Sequence, residues 1–152
     1  MKRAVFKTAY ILTWPFLFLY APLRVRSRIL VIKNDTFLGV RHYYGTNVWS
    51  LPGGGVKAGE SYKDAAIREL NEELGIVVAT KDVHELLGVR TYNERGLFMR
   101  YVIFVVKIHE DIKMQKNNEI SEVRWLSPQA TGASNHALQA VQQAIGQAYL
   151  IK

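Results

Sequence analysis

The chain has no cysteine. A disulfide framework, a thiolate metal site and a catalytic thiol are therefore excluded, and a reducing compartment is compatible with the composition. It also lacks an apolar run fit to cross a bilayer. The stretch Thr8–Leu23 carries no charge but is 16 residues long, short of the roughly 20 needed, and Pro15 and Pro22 interrupt any helix there. Tyr20-Ala21-Pro22 makes a poor secretory cleavage site. No period of 20–50 residues repeats, which excludes solenoids and propellers. Charged residues are only 22% of 152, against 49% hydrophobic, so the chain can bury a core and disorder as its general state is excluded.

Positive charge is in excess, but only at one end. Residues 1–28 hold Lys2, Arg3, Lys7, Arg24, Arg26 and Arg28 and no acid, so they carry six of the seven net charges. The remainder is almost neutral, which argues against nucleic acid as a partner, since such binders more often spread base over a folded face. For the segment 1–26, an N-terminal basic and apolar arm, three readings stand: packing on the domain or on a second subunit as a homodimer, peripheral contact with an anionic membrane through Trp14 and Tyr20, or a membrane anchor. The expected setting is cytoplasmic, with membrane association through the arm. Residues 27–152 read as one domain with no linker.

Within it, Arg28–Lys33 and Thr36–Val40 read as a hairpin about Asn34-Asp35. A short strand is expected to end at Trp49-Ser50-Leu51, and Pro52 to Gly55 to break regular structure, because glycines permit backbone angles closed to other residues. Ser61–Leu74 is the clearest helix: Ser61 and Asp64 form a capping-box arrangement, Ala65, Ala66, Leu70 and Leu74 give the apolar stripe, and Gly75 ends it. Ile76–Ala79 and Glu85–Thr91 are candidate strands. Leu97–Ile108 is apolar on both alternating faces and reads as a strand covered on both sides. Glu122–Leu126 is a further strand. Ser134 opens a last helix with Leu138, Val141, Ile145 and Tyr149 along one face. The fold class is α/β (α+β), a mixed sheet between helices.

Glu69, Glu72 and Glu73 stand at i, i+3 and i+4, so their carboxylates emerge on one side of the helix and repel one another. Acidic runs are usually solvated faces. Here, however, acids crowd the last turn, where the helix dipole disfavours them, and a glycine loop lies just upstream. A hard divalent cation such as Mg²⁺, which prefers oxygen ligands, would offset the repulsion.

The segment Gly54–Ile76 resembles the Nudix box of the Nudix hydrolase superfamily. Gly54, Glu60, Arg68, Glu69, Leu70, Glu72, Glu73, Gly75 and Ile76 meet that pattern without departure over 23 residues. The resemblance implies a Nudix-like mixed sheet sandwiched between helices. It implies a Mg²⁺- or Mn²⁺-dependent hydrolase that cleaves a diphosphate linkage in a nucleotide-derived small molecule. Glu69, Glu72 and Glu73 are then metal ligands, with the Gly53 carbonyl as a further one, and Arg68 and Glu60 hold the loop against the helix beside Gly54 and Gly75. The base that activates water is open between Glu69 and Glu119, with Glu94 and His42 as weaker candidates. Tyr43, Tyr44, Trp49, Tyr92 and Phe98 are candidates for stacking on a base, and Arg41, His42 and Arg90 for phosphate contact, although most aromatics in such a domain are core. The alternatives are a non-catalytic nucleotide sensor and an RNA 5′-pyrophosphohydrolase. The substrate itself is not assigned by any motif.

Overall fold

The computed structural model describes residues 24–43, 47–94, 96–147 and 149. The N-terminal arm up to residue 23 and Tyr44 therefore lie outside the described residues. Strands β1 (Val25–Lys33), β2 (Thr36–His42), β3 (Gly53–Gly55), β4 (His84–Glu94), β5 (Leu97–Ile108) and β6 (Ile120–Leu126) form one mixed sheet with helices α1 (Tyr62–Leu74) and α2 (Asn135–Gly146). The strand order is β4-β5-β1-β2-β6, with β3 on β1. β1 and β5 run parallel from Val25↔Arg100 to Lys33↔Ile108.

Alternation along β5 explains the layers. Tyr101, Ile103 and Val105 pack with Ala137, Ala140, Val141 and Ala144 of α2. Val102, Phe104 and Val106 pack with Ala66, Leu70 and Leu74 of α1. A strand that buries both faces needs a helix on each, as its apolar run requires. Each fully buried Leu, Ile, Val or Phe contributes about 1.5–3 kcal/mol.

The hairpin turns at Asn34, whose φ is 51°, yet β1 and β2 pair only at Ile32↔Phe37 and Lys33↔Thr36. Beyond that they part, and the vacant edge of β1 decides what the glycines do. Gly53–Gly55 do not break regular structure; they are a strand, with Gly55, Gly54 and Gly53 opposite Arg26, Ser27 and Arg28. Trp49–Leu51 is not a strand but contributes two isolated bridges, Val40↔Ser50 and Trp49↔Ala133. Ile76–Ala79 forms no strand either: Ile76 plugs the α1-side core and the chain continues into a single 3-10 turn, Thr80–Asp82. In α2 the buried face is Ala137, Ala140, Val141 and Ala144, at i, i+3, i+4 and i+7, whereas Leu138 falls off that face and is exposed.

Candidate active site

α1 begins where sequence rules place it. The Ser61 hydroxyl oxygen accepts from the Asp64 N–H at 3.1 Å and donates to the Asp64 carboxylate at 2.6 Å. Gly75, at φ 67°, ends the helix with its N–H on the Asn71 carbonyl. The Ser27 hydroxyl donates to the Tyr62 carbonyl at 2.6 Å and ties the helix start to β1.

The carboxylates of α1 have unlike surroundings. Arg68 collects three of the acids: Nε donates to Glu60 at 2.7 Å, Nη2 to Glu60 at 3.0 Å and to the Gly55 carbonyl at 2.9 Å, and Nη1 to Glu69 at 2.8 Å and Glu72 at 2.9 Å. These charge-assisted bonds hold Glu60 down at about 2. Glu72 is half exposed and also meets Lys57. Glu69 lies against Gly54, where an added Cβ would stand 2.6 Å from the carboxylate carbon.

Glu73 is different: it is only 3% exposed. It stands three residues after Leu70, so the stripe that faces the sheet takes it inward. Its Oε2 accepts from the Gly53 N–H at 2.9 Å. Burial pushes its carboxyl up to about 7; Arg28 and the Gly53 hydrogen bond oppose the shift, and the charges of Glu69 and Glu119 reinforce it.

Glu119 reaches this group through helix capping. The carbonyls of Leu74 and Glu73 have no partner within α1, and the loop after β5 supplies Gln115 N–H and Asn117 N–H, both at 2.9 Å. The Asn117 side chain then accepts from the Glu119 and Ile120 amides. The sequence offers Glu119 as a candidate base; capping is what carries it toward Glu73.

Among the described residues, no three acidic or histidine side chains converge on one point, because Arg68 draws off Glu69 and Glu72 while the Gly53 amide holds Glu73. The donor set is nonetheless all oxygen, and a carboxyl pushed up chiefly by burial, and further by the charges of Glu69 and Glu119, is one that a divalent cation would relieve. The residues therefore fit a hard cation such as Mg²⁺ or Mn²⁺. The Gly53 carbonyl accepts from Arg28.

The other candidates are dispersed. Arg41 bonds Glu122 at 3.1 Å and its Cζ lies 4.1 Å above the Trp49 ring; Trp49 is buried beneath it. Tyr43 is exposed at the end of β2, its N–H on the Glu119 carbonyl. Arg90 is exposed on β4, with β5 between it and β1. Phe98 is exposed on β5 and Tyr92 is buried on the α2 side. His42 is held at about 4 by burial and by the charges of Arg28 and Arg26.

Glu94 belongs elsewhere. Its carboxylate takes the His136 ring Nδ1 at 2.7 Å, and the ring's Nε2 lies 3.2 Å from both the Ser50 and Ser134 hydroxyls. The order Ser50–His136–Glu94 has a nucleophile, base and orienting acid. However, Ser50 and His136 are 8% and 2% exposed, with the Tyr101 ring 4.4 Å from the imidazole, so the group pins α2 to the β4–β5 turn and the segment before the glycines. Sequence reasoning missed Arg28. The signal was its place in β1, where it shares the face of Leu30 and Ile32 and must find partners inside.

A family model, the NUDIX domain, matches residues 22–145. The nucleoside triphosphatase NudI of Salmonella newport is 33% identical over 90 residues, 53% of this chain and 62% of that protein; the chain thus matches less than two thirds of that relative's length. In fold, the chain is similar to a Caenorhabditis elegans Ap4A hydrolase, with a TM-score of 0.70, 18% identity, and 83% of this chain and 98% of that one covered. It is also similar to a bifunctional NMN adenylyltransferase/ADP ribose pyrophosphatase from Francisella tularensis complexed with AMP and a Mn ion, with a TM-score of 0.70, 21% identity, and 96% and 48% covered.

Proposed function

The chain belongs to the NUDIX domain family, and on that premise we propose that it is a nucleotide pyrophosphohydrolase. It cleaves a diphosphate linkage in a nucleoside diphosphate joined to another moiety, with water attacking phosphorus. The observation that carries the reading is Glu73: a carboxylate buried against the Gly53 amide, in the field of two others, is costly to keep unless it serves a cation. Glu69, Glu72 and Glu73, with the Gly53 carbonyl, would hold Mg²⁺ or Mn²⁺. When bound, such an ion neutralises diphosphate charge and lowers the pKa of its water.

The remaining roles fall to the chain's own residues. Arg68 and Glu60 hold the glycine strand against α1. Glu119 takes the proton from the attacking water, since it is exposed and reaches the site from a separate loop, while Glu69 is already assigned to the cation. The domain begins with β1 at Val25, and the basic, apolar arm before it is the segment offered for packing on the domain or a second subunit, or for peripheral contact with an anionic membrane. No helix among the described residues is long and apolar enough to cross one.

Phosphate and pyrophosphate release would be measured over a range of Mg²⁺ with nucleoside triphosphates, ADP-ribose, nucleotide sugars, dinucleoside polyphosphates and 5′-triphosphorylated RNA. Cation-dependent turnover of one class supports the proposal and names the substrate. Nucleotide binding without turnover by the folded protein would replace it with the sensor reading. For the arm, co-sedimentation with phosphatidylserine vesicles should be lost when residues 1–23 are removed.

A further inference from the structure

Arg28 is 6% exposed, on the face of β1 that carries Leu30 and Ile32 into the α2-side core. A buried guanidinium must place its donors or lose heavily by desolvation. Its Nη1 serves the carbonyls of Leu51, at 3.1 Å, and of Gly53, and its Cζ lies 5.4 Å from the centre of the Tyr101 ring. Gly53 also gives its N–H to Glu73. One residue of β3 is thus held from both ends of its backbone, by the Arg28 guanidinium on the carbonyl and by a buried carboxylate on the amide.

Gly53 has little freedom to compensate if one hold is lost. Its φ is +132°, and an added Cβ would meet the Ser27 carbonyl oxygen at 2.2 Å. Neighbours fix the approach as well: the Ile29 N–H takes the Pro52 carbonyl at 3.0 Å, and Ser50 exchanges both backbone bonds with Val40 at 2.9 Å. The guanidinium reaches two carbonyls of this segment, those of Leu51 and Gly53.

We propose that Arg28 is a positioning residue that acts through Gly53: by fixing that residue's backbone it sets the orientation of the Glu73 carboxylate, and thereby the turnover of the site. The activity part of this inference rests on the hydrolase reading; the structural part does not.

The test is amide hydrogen exchange by NMR on the full chain, without metal or substrate, for the wild type, Arg28→Met and Arg28→Lys. In Arg28→Met the Gly53 amide should exchange at least about tenfold faster, while Ile103 and Val105 at the sheet centre keep their protection. Arg28→Lys should recover part of it, since an ammonium can donate to a carbonyl as the single Nη1 does but is carried on a shorter side chain. With the substrate found in the release screen, kcat should fall at least about tenfold with KM within a few-fold, the pattern of a lost transition-state interaction. Unchanged Gly53 protection in a folded variant would overturn the proposal, as would an equal loss at Ile103. If Arg28→Met fails to fold, Arg28→Lys against wild type decides by the same ratio. A wild-type chain inactive on the whole panel would sink the hydrolase reading while leaving the exchange result to judge Arg28.

Discussion

At Glu73 the apolar stripe of α1 and its acidic face coincide, and one side chain has to satisfy both. Its folded pKa of about 7 stands above the ordinary 4.5. The neutral form therefore stabilises the fold fully below the unfolded value, and that contribution is lost as pH rises through about 7, to the extent of about 3 kcal/mol. Glu73→Gln keeps the acceptor for the Gly53 amide and removes the charge. Without divalent cation at pH 8, its melting temperature should equal or exceed the wild type's; with Mg²⁺ present, turnover should fall by about two orders of magnitude or more. Survival of activity within a few-fold would refute the metal assignment. Arg68 is the opposite case, a cation that serves Glu60, Glu69, Glu72 and Gly55 at once. Arg68→Ala should lose several degrees of melting temperature as well as activity, and Arg68→Lys should recover little, because an ammonium cannot fork. A fully stable but inactive Arg68→Ala would give this residue a direct part in the chemistry.

At the scale of elements, the glycine strand is a set of three residues with three different reasons. A Cβ at Gly53 would strike backbone of β1, at Gly54 the carboxylate of Glu69, and at Gly55 nothing within 4 Å. Gly53→Ala should therefore fail to accumulate as folded protein. Gly54→Ala should fold, since a side chain can swing away, but with Glu69 displaced and turnover reduced. Gly55→Ala should be close to wild type in both. Urea unfolding and steady-state rates on the three variants would check the order. The start of α2 depends on another local device, the Glu94–His136 pair. Burial and the charge of Arg28 lower the His136 pKa, with Glu94 opposing. Burial pushes Glu94 up, and the bonds from His136 and Asn135 more than offset it, leaving it low. For both groups, stability is present above the unfolded pKa and lost as pH falls. Glu94→Gln should thus soften the acid unfolding of the chain and lower its stability at pH 7.

These groups set opposing slopes on the whole molecule. As pH falls below 6.5, protonation of His136 and of His42, whose folded pKa is about 4, costs stability. As pH rises from 4.5 through about 7, ionisation of Glu73 costs it too. The cation-free protein should be most stable in mildly acidic solution, and Mg²⁺ should raise its melting temperature more at pH 8 than at pH 5.5 by linkage. In Glu73→Gln the alkaline slope and most of the Mg²⁺ effect should vanish, as scanning fluorimetry across pH would show. An equal Mg²⁺ effect at both pH values would mean that the cation acts elsewhere.

The sequence by itself determined whatever is written in local pattern. Ser61 and Gly75 bound α1 because capping chemistry is local; the double-faced apolar run of Leu97–Ile108 required a covered strand; and the spacing from Gly54 to Ile76 carried the family resemblance. Only the tertiary structure decided what depends on a neighbour's unfilled hydrogen bonds or on a second layer. Three glycines became a strand because β1 and β2 part after two register pairs. Ile76–Ala79 stayed irregular: Ile76 is buried in the α1-side core and Val78 packs against it, while Val77 points to solvent. The sequence does not show that Glu73 is buried, which only the sheet closing over it decides, nor that Arg28, one basic residue among six near the N-terminus, finds its partners in carbonyls more than 20 positions along the chain. Local pattern fixes which groups a segment offers; burial and pairing across the fold fix which of them are met.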